Sequence, residues 1–74
     1  MAEARWTEKP AMPGEISRKA PHQHRCAICN GRMHLGNHHV EEGPEGPTVS
    51  PSVVCPHPGC GGHYFVRNGR VEWC

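Results

Sequence analysis

PTVSPSVVCPHPGCGGHYFVRNGRVEWC, residues 47–74, is the stretch whose reading decides the fold. HYFV (63–66) and RVEW (70–73) are short runs of aromatic and β-branched residues, joined through Arg67, Asn68 and Gly69. Asn-Gly tolerates positive φ at both central positions of a tight turn, so the two runs are predicted to form a hairpin. Just before it, Cys55 and Cys60 bracket Pro56, His57, Pro58 and Gly59, a spacing that can turn two thiols toward one ion. Thr48 to Val54 reads as a strand with a break. Val49, Val53 and Val54 favour β structure, whereas Pro47 and Pro51 confine it to an edge or a bulge. The Ser50-Pro51-Ser52 step is expected where the chain bends.

Upstream, HQHRCAICNGRMHLG (22–36) holds a first knuckle. His24 to Ala27 should enter as a strand, Asn30-Gly31 should turn, and Arg32 to Leu35 should leave as a second strand, with Cys26 and Cys29 flanking the turn. Residues 37–47, NHHVEEGPEGP, carry three acidic groups, two glycines and two prolines and read as a loop. In residues 1–21 the chain is broken by Pro10, Pro13, Gly14 and Pro21. That segment is expected to be a flexible or loosely docked arm with at most one helical turn at Glu15 to Ala20; Trp6 is the residue suited to anchor it. The predicted organisation is an irregular arm (1–21) followed by a zinc-stapled β domain (22–74). Its fold class is a small β-rich zinc ribbon, two knuckle hairpins with an edge strand between them.

Composition supports a stapled fold. A chain of 74 residues with 35% apolar residues, nine glycines and eight prolines cannot fill a large core. Five cysteines are available to help. The polar start MAEARWTEKP offers no signal-peptide core, and no stretch is long enough to span a membrane. A cytoplasmic chain is therefore expected, and its cysteines read as metal ligands with one spare thiol rather than as disulfides. The net charge of +1 gives no basic stripe, which argues against nucleic acid.

Zinc takes four tetrahedral thiolate or imidazole ligands in closed structural sites. Cys26, Cys29, Cys55 and Cys60 are the predicted set. His57, His63 and Cys74 are competitors, and a Cys60/His63 pair could displace Cys55. His22, His24, His34, His38 and His39 read as solvated side chains. A second chemistry is available to Ser52 and His63, since a serine becomes nucleophilic when an imidazole takes its proton. One metal site would gather both into a small volume, and the backbone amides of Gly61 and Gly62 would be free to hold an oxyanion. The plain alternative makes Ser52 a turn cap and His63 a ligand or packed ring.

PTVSPSV, the run Gly59 to Val66 and the run Gly69 to Cys74 together resemble the BubE family, small zinc-containing bacterial and phage proteins of bacterial ubiquitination-like operons. Members are encoded beside ubiquitin-like proteins and E1-, E2- and peptidase-like partners. The resemblance implies a deubiquitinase-like serine peptidase that processes ubiquitin-like proteins, with Ser52 as nucleophile, His63 as base and Cys60 as a metal ligand. Two features depart from the family pattern. Gly62 stands where members usually show serine. The first knuckle is Cys-Ala-Ile-Cys rather than Cys-Pro-Cys-Gly-Cys, which points to Cys55 as the source of a ligand that others take upstream. The competing function is a non-catalytic zinc ribbon that docks on a protein partner; a metallohydrolase with three protein ligands comes third.

Overall fold

The computed structural model describes residues 3–19 and 22–74. Among the described residues, eight strands form two four-stranded sheets. The first contains β1 (Arg5–Thr7), β2 (Glu15–Ser17), β3 (Gln23–Arg25) and β4 (Arg32–His34), in that spatial order. The second contains β5 (His39–Gly43), β6 (Gly46–Val54), β7 (His63–Arg67) and β8 (Arg70–Trp73), also in chain order.

The β7–β8 hairpin forms as its sequence demands. Tyr64, Val66 and Val71 alternate inward while His63, Arg67 and Arg70 face solvent. Asn68 (φ 49°) and Gly69 (φ 78°) take the left-handed turn. Gly69 is also required by its surroundings. A Cβ there would meet the Glu45 carbonyl at 2.8 Å, because the β5–β6 turn packs against the β7–β8 turn. The Ala4 N–H donates to the Gly69 carbonyl at 2.8 Å, tying the N-terminal segment to that turn.

Strand β6 organises the second sheet. It pairs with β5 on one side and β7 on the other, so it is an interior strand rather than the expected edge strand. Pro47 stands near the start of β6, one residue from the turn, and its carbonyl accepts the Gly69 N–H at 2.9 Å. Pro51 is tolerated by the other option, a bulge. Val49 pairs with Val66 and Val53 with Tyr64, so Ser50, Pro51 and Ser52 together oppose Phe65 alone. The Ser50–Pro51 peptide is cis.

Residues 37–47 are corrected from loop to strand plus turn, since β5 pairs with β6 from His39↔Ser50 to Gly43↔Gly46. An edge strand needs backbone partners more than an apolar face. Exposed His39, Glu41 and Glu42 also give β5 a charged rim that discourages pairing with other chains. A second correction concerns the arm. Residues 3–19 contribute β1 and β2, paired in parallel through Arg5↔Glu15, Trp6↔Ile16 and Thr7↔Ser17. Glu15–Ser17 is a strand, not a helical turn, because Ile16 is wholly buried and pairs with Trp6 and His24 at once. Met1, Ala2, Ala20 and Pro21, to which the expected arm also extended, lie outside the described residues.

Both sheets share one core: Ile16, Met33 and Leu35 from the first half meet Val49, Val53, Tyr64, Val66 and Val71 from the second. A polar bolt crosses it. The His24 Nδ1–H donates to the Glu15 carbonyl at 3.1 Å, and Nε2 accepts the Tyr64 hydroxyl at 2.7 Å. The same hydroxyl oxygen accepts the Ala27 N–H at 3.3 Å. His24, expected to be solvated, is therefore a core residue. Burial pushes its pKa down to about 4 and the Tyr64 phenol up, so both stay neutral. Tyr64→Phe leaves the His24 nitrogen buried without a donor. It is expected to reduce stability by about 1–3 kcal/mol, read as a shift in chemical-denaturation midpoint at unchanged slope.

Candidate active site and metal centre

The two knuckles converge at the shared core, to which Cys26 and Cys55 belong. In the first, the Cys26 N–H bonds the Gly31 carbonyl at 2.9 Å and the Asn30 N–H returns to the Cys26 carbonyl at 3.0 Å. Asn30 takes φ 61°, which closes the loop around the thiols. Amides then point at sulfur: Ile28 N–H to Cys26 Sγ at 3.3 Å and Gly31 N–H to Cys29 Sγ at 3.4 Å. In the second knuckle, the Cys55 N–H bonds the Gly62 carbonyl at 2.8 Å, and the Cys60 N–H bonds the His57 carbonyl at 3.2 Å.

The sulfurs of Cys26, Cys29, Cys55 and Cys60 all lie within 4.8 Å of one another. Cys26 and Cys60 are 3.8 Å apart, Cys29 and Cys55 3.7 Å. Zinc–sulfur bonds of about 2.3 Å in a tetrahedron give sulfur–sulfur edges of about 3.8 Å, so the cage fits that ion. Disulfides require about 2.05 Å and are excluded by these distances. Burial pushes the Cys55 thiol up to about 12. Cys26 is also buried, but the amides of Cys29 and Ile28 and the thiols of Cys55 and Cys29 outweigh that and bring it down to about 7. Thiolates packed this closely repel one another, and a bound cation relieves the repulsion.

The competing ligands lie outside the cage. The His57 Nε2–H donates to the Arg32 carbonyl at 2.6 Å. Its ring packs on Gly31, where a Cβ would come within 2.4 Å of it. That contact explains a glycine at a position with no left-handed φ. Cys74 is exposed at the end of the β8 segment, its N–H bonded to the His63 carbonyl at 3.2 Å.

On the opposite face of the β6–β7 pair, the Ser52 hydroxyl donates to His63 Nε2 at 2.6 Å. The bulge is the cause. With three β6 residues opposite one on β7, Ser52 is released from the regular pleat, while the Val54↔His63 pairing brings the imidazole alongside. Neither group is deeply buried, so an incoming chain can reach both. Glu72, the carboxylate of the neighbouring strand β8, is paired with Arg67 at 2.9 Å. Among the described residues no carboxylate forms an ion pair with His63.

The two glycines expected near an oxyanion differ. Gly61 (φ 59°) has no atom within 4 Å of where a Cβ would stand, leaving room for a substrate carbonyl. Gly62 is closed in: a Cβ there would meet Ile28 at 2.4 Å and the Cys60 sulfur at 3.4 Å. His38 is a residue that pattern reading missed. Its Nε2–H donates to the Ser52 carbonyl at 3.1 Å. No local signal separates it from its neighbour His39, which bonds Glu41 at 2.7 Å in solvent.

Residues 4–74 match the family model described as "Bacterial ubiquitination-like system serine protease (BubE)". No curated protein and no solved structure matches the chain.

Proposed function

Because the chain belongs to the BubE family of serine proteases of bacterial ubiquitination-like systems, we propose that it hydrolyses a bond at the C-terminus of a ubiquitin-like protein, using Ser52 and His63. The observation that carries this reading is the 2.6 Å hydrogen bond from the Ser52 hydroxyl to His63 Nε2. A neutral imidazole at that distance can accept the hydroxyl proton as the oxygen attacks the scissile carbonyl. The resulting tetrahedral oxyanion is held by backbone amides near Gly61 and Gly62. Gly61 is the better candidate because Gly62 is closed in by Ile28 and the Cys60 sulfur. His63 then gives its proton to the leaving nitrogen, the bond to it breaks, and an ester to Ser52 remains. Water attacks that ester with His63 again as base, releasing the carboxylic acid and restoring the hydroxyl.

Cys26, Cys29, Cys55 and Cys60 would hold a structural zinc in a zinc-ribbon core. Four protein thiolates leave no position for a reacting water. Bound zinc would supply folding energy and keep β6 and β7 in register. The partners are then ubiquitin-like substrates, with E1- and E2-like proteins acting on the same molecules.

A fluorophosphonate, which traps activated serines, tests the assignment. The expected result is one adduct per chain, mapped by mass spectrometry to the peptide containing Ser52. An adduct elsewhere, or none in a preparation that cleaves a ubiquitin-like precursor, would refute it.

A further inference from the structure

Strand β5 reaches only the first residue of the bulge. Its last pair with β6 is His39↔Ser50, so Ser52 has no strand partner on that side. The chain before β5 instead turns, with the His38 N–H bonded to the Leu35 carbonyl at 3.0 Å. That turn delivers the His38 imidazole, rather than another backbone amide, to the Ser52 carbonyl at 3.1 Å. A carbonyl can only accept, so Nε2 carries the proton and Nδ1 is the bare nitrogen. Nδ1 is buried and has no hydrogen-bond partner. A buried acceptor left unpaired costs free energy, so Nδ1 gives no reason for an imidazole here. The bond from Nε2 to the Ser52 carbonyl does.

Building on the function proposed above, we infer that His38 is a positioning residue: it holds the Ser52 carbonyl and so fixes the bulge in the orientation that aims the Ser52 hydroxyl at His63. The ladder to β7 lapses between Val49↔Val66 and Val53↔Tyr64, which is where an isolated residue would otherwise swing. Anchoring its carbonyl from the β5 side restrains the Ser52–Val53 peptide plane, and with it the direction of the side chain. Reaction rates depend steeply on such aim, because a misplacement of about 1 Å can cost about a hundredfold.

Two variants of the full metal-loaded chain separate positioning from packing. His38→Leu keeps the volume and removes the donor; His38→Gln returns an N–H at the reach of Nε2. Fluorophosphonate inactivation gives kinact and KI, and thermal unfolding gives Tm. For His38→Leu, kinact is expected to fall about 10- to 100-fold with KI little changed, and Tm to fall at most slightly for the Ser52 carbonyl that loses this donor. For His38→Gln, most of kinact is expected to return. Wild-type kinact in His38→Leu would overturn the inference, as would equal losses in both variants that track a falling Tm. Ser52→Ala is run beside them. Undiminished labelling of that variant would overturn the Ser52 assignment and this inference with it, whereas full loss there alongside normal His38→Leu kinetics would overturn this inference alone.

Discussion

Ser52→Ala is expected to lower cleavage of a C-terminally extended ubiquitin-like precursor by at least about 10⁴-fold, while the chain keeps its metal and its unfolding midpoint. The size follows from the chemistry. Without the hydroxyl there is no acyl-enzyme route, and what survives is the modest help that bound substrate receives from oriented amides. The selectivity follows from the fold. Ser52 sits on the half-exposed outer side of the bulge, and its neighbour Val53, not its own side chain, is the residue packed in the core. Losing one hydroxyl therefore removes one exposed hydrogen bond, to His63. His63→Ala should match this loss for the same reason, since the hydroxyl without a base is inert at neutral pH. Full activity in Ser52→Ala, abolished by chelation, would instead mean a metal-activated water and one thiolate released from the cage.

The second large effect is expected on removing the metal. Chelation under denaturing conditions, or Cys55→Ser, should leave a chain that no longer unfolds cooperatively and no longer reacts with fluorophosphonate. Structural zinc in small domains contributes on the order of 10–16 kcal/mol, more than the whole stability of a typical domain of this size. Cys26 and Cys55 are also part of the apolar core, so the metal and the packing fail together. Thiol titration reads the cage directly. Of five cysteines, Cys74 is the exposed one outside the cluster. One thiol should react quickly in the native protein and five after chelation in denaturant. Elemental analysis should find one zinc per chain. Two or more fast thiols in the native state, or a chelated chain with an unchanged midpoint, would mean that the cage does not staple the fold.

The elements differ in how far they could be read beforehand. The β7–β8 hairpin was legible because everything that makes it lies within eleven residues: alternating inward side chains and a turn whose two residues tolerate positive φ. The four cage cysteines were legible for a similar reason, since each knuckle is a local turn, the first with its own amides aimed at sulfur. By contrast, β5 was hidden. Its acidic sequence buries little, and it is a strand because β6 lies beside it. β2 was hidden because Ile16 has a partner on each side, ten residues back and eight ahead. His24 and His38 looked like their solvated neighbours, and differ only in what the opposite strand presents to them.

What the sequence by itself determined is therefore the local chemistry: a two-residue hairpin turn, two thiol knuckles, a proline-broken strand, and a serine and a histidine on the segments flanking the second knuckle. Only the tertiary structure decided that β6 is interior, that its break is a bulge setting three residues against one, and that an imidazole from beyond the end of β5 meets the Ser52 carbonyl. The division has one physical cause. Turn geometry and ligand spacing depend on the backbone of adjacent residues, whereas register, burial and hydrogen-bond partners across a sheet depend on strands brought together only when the two halves share a core.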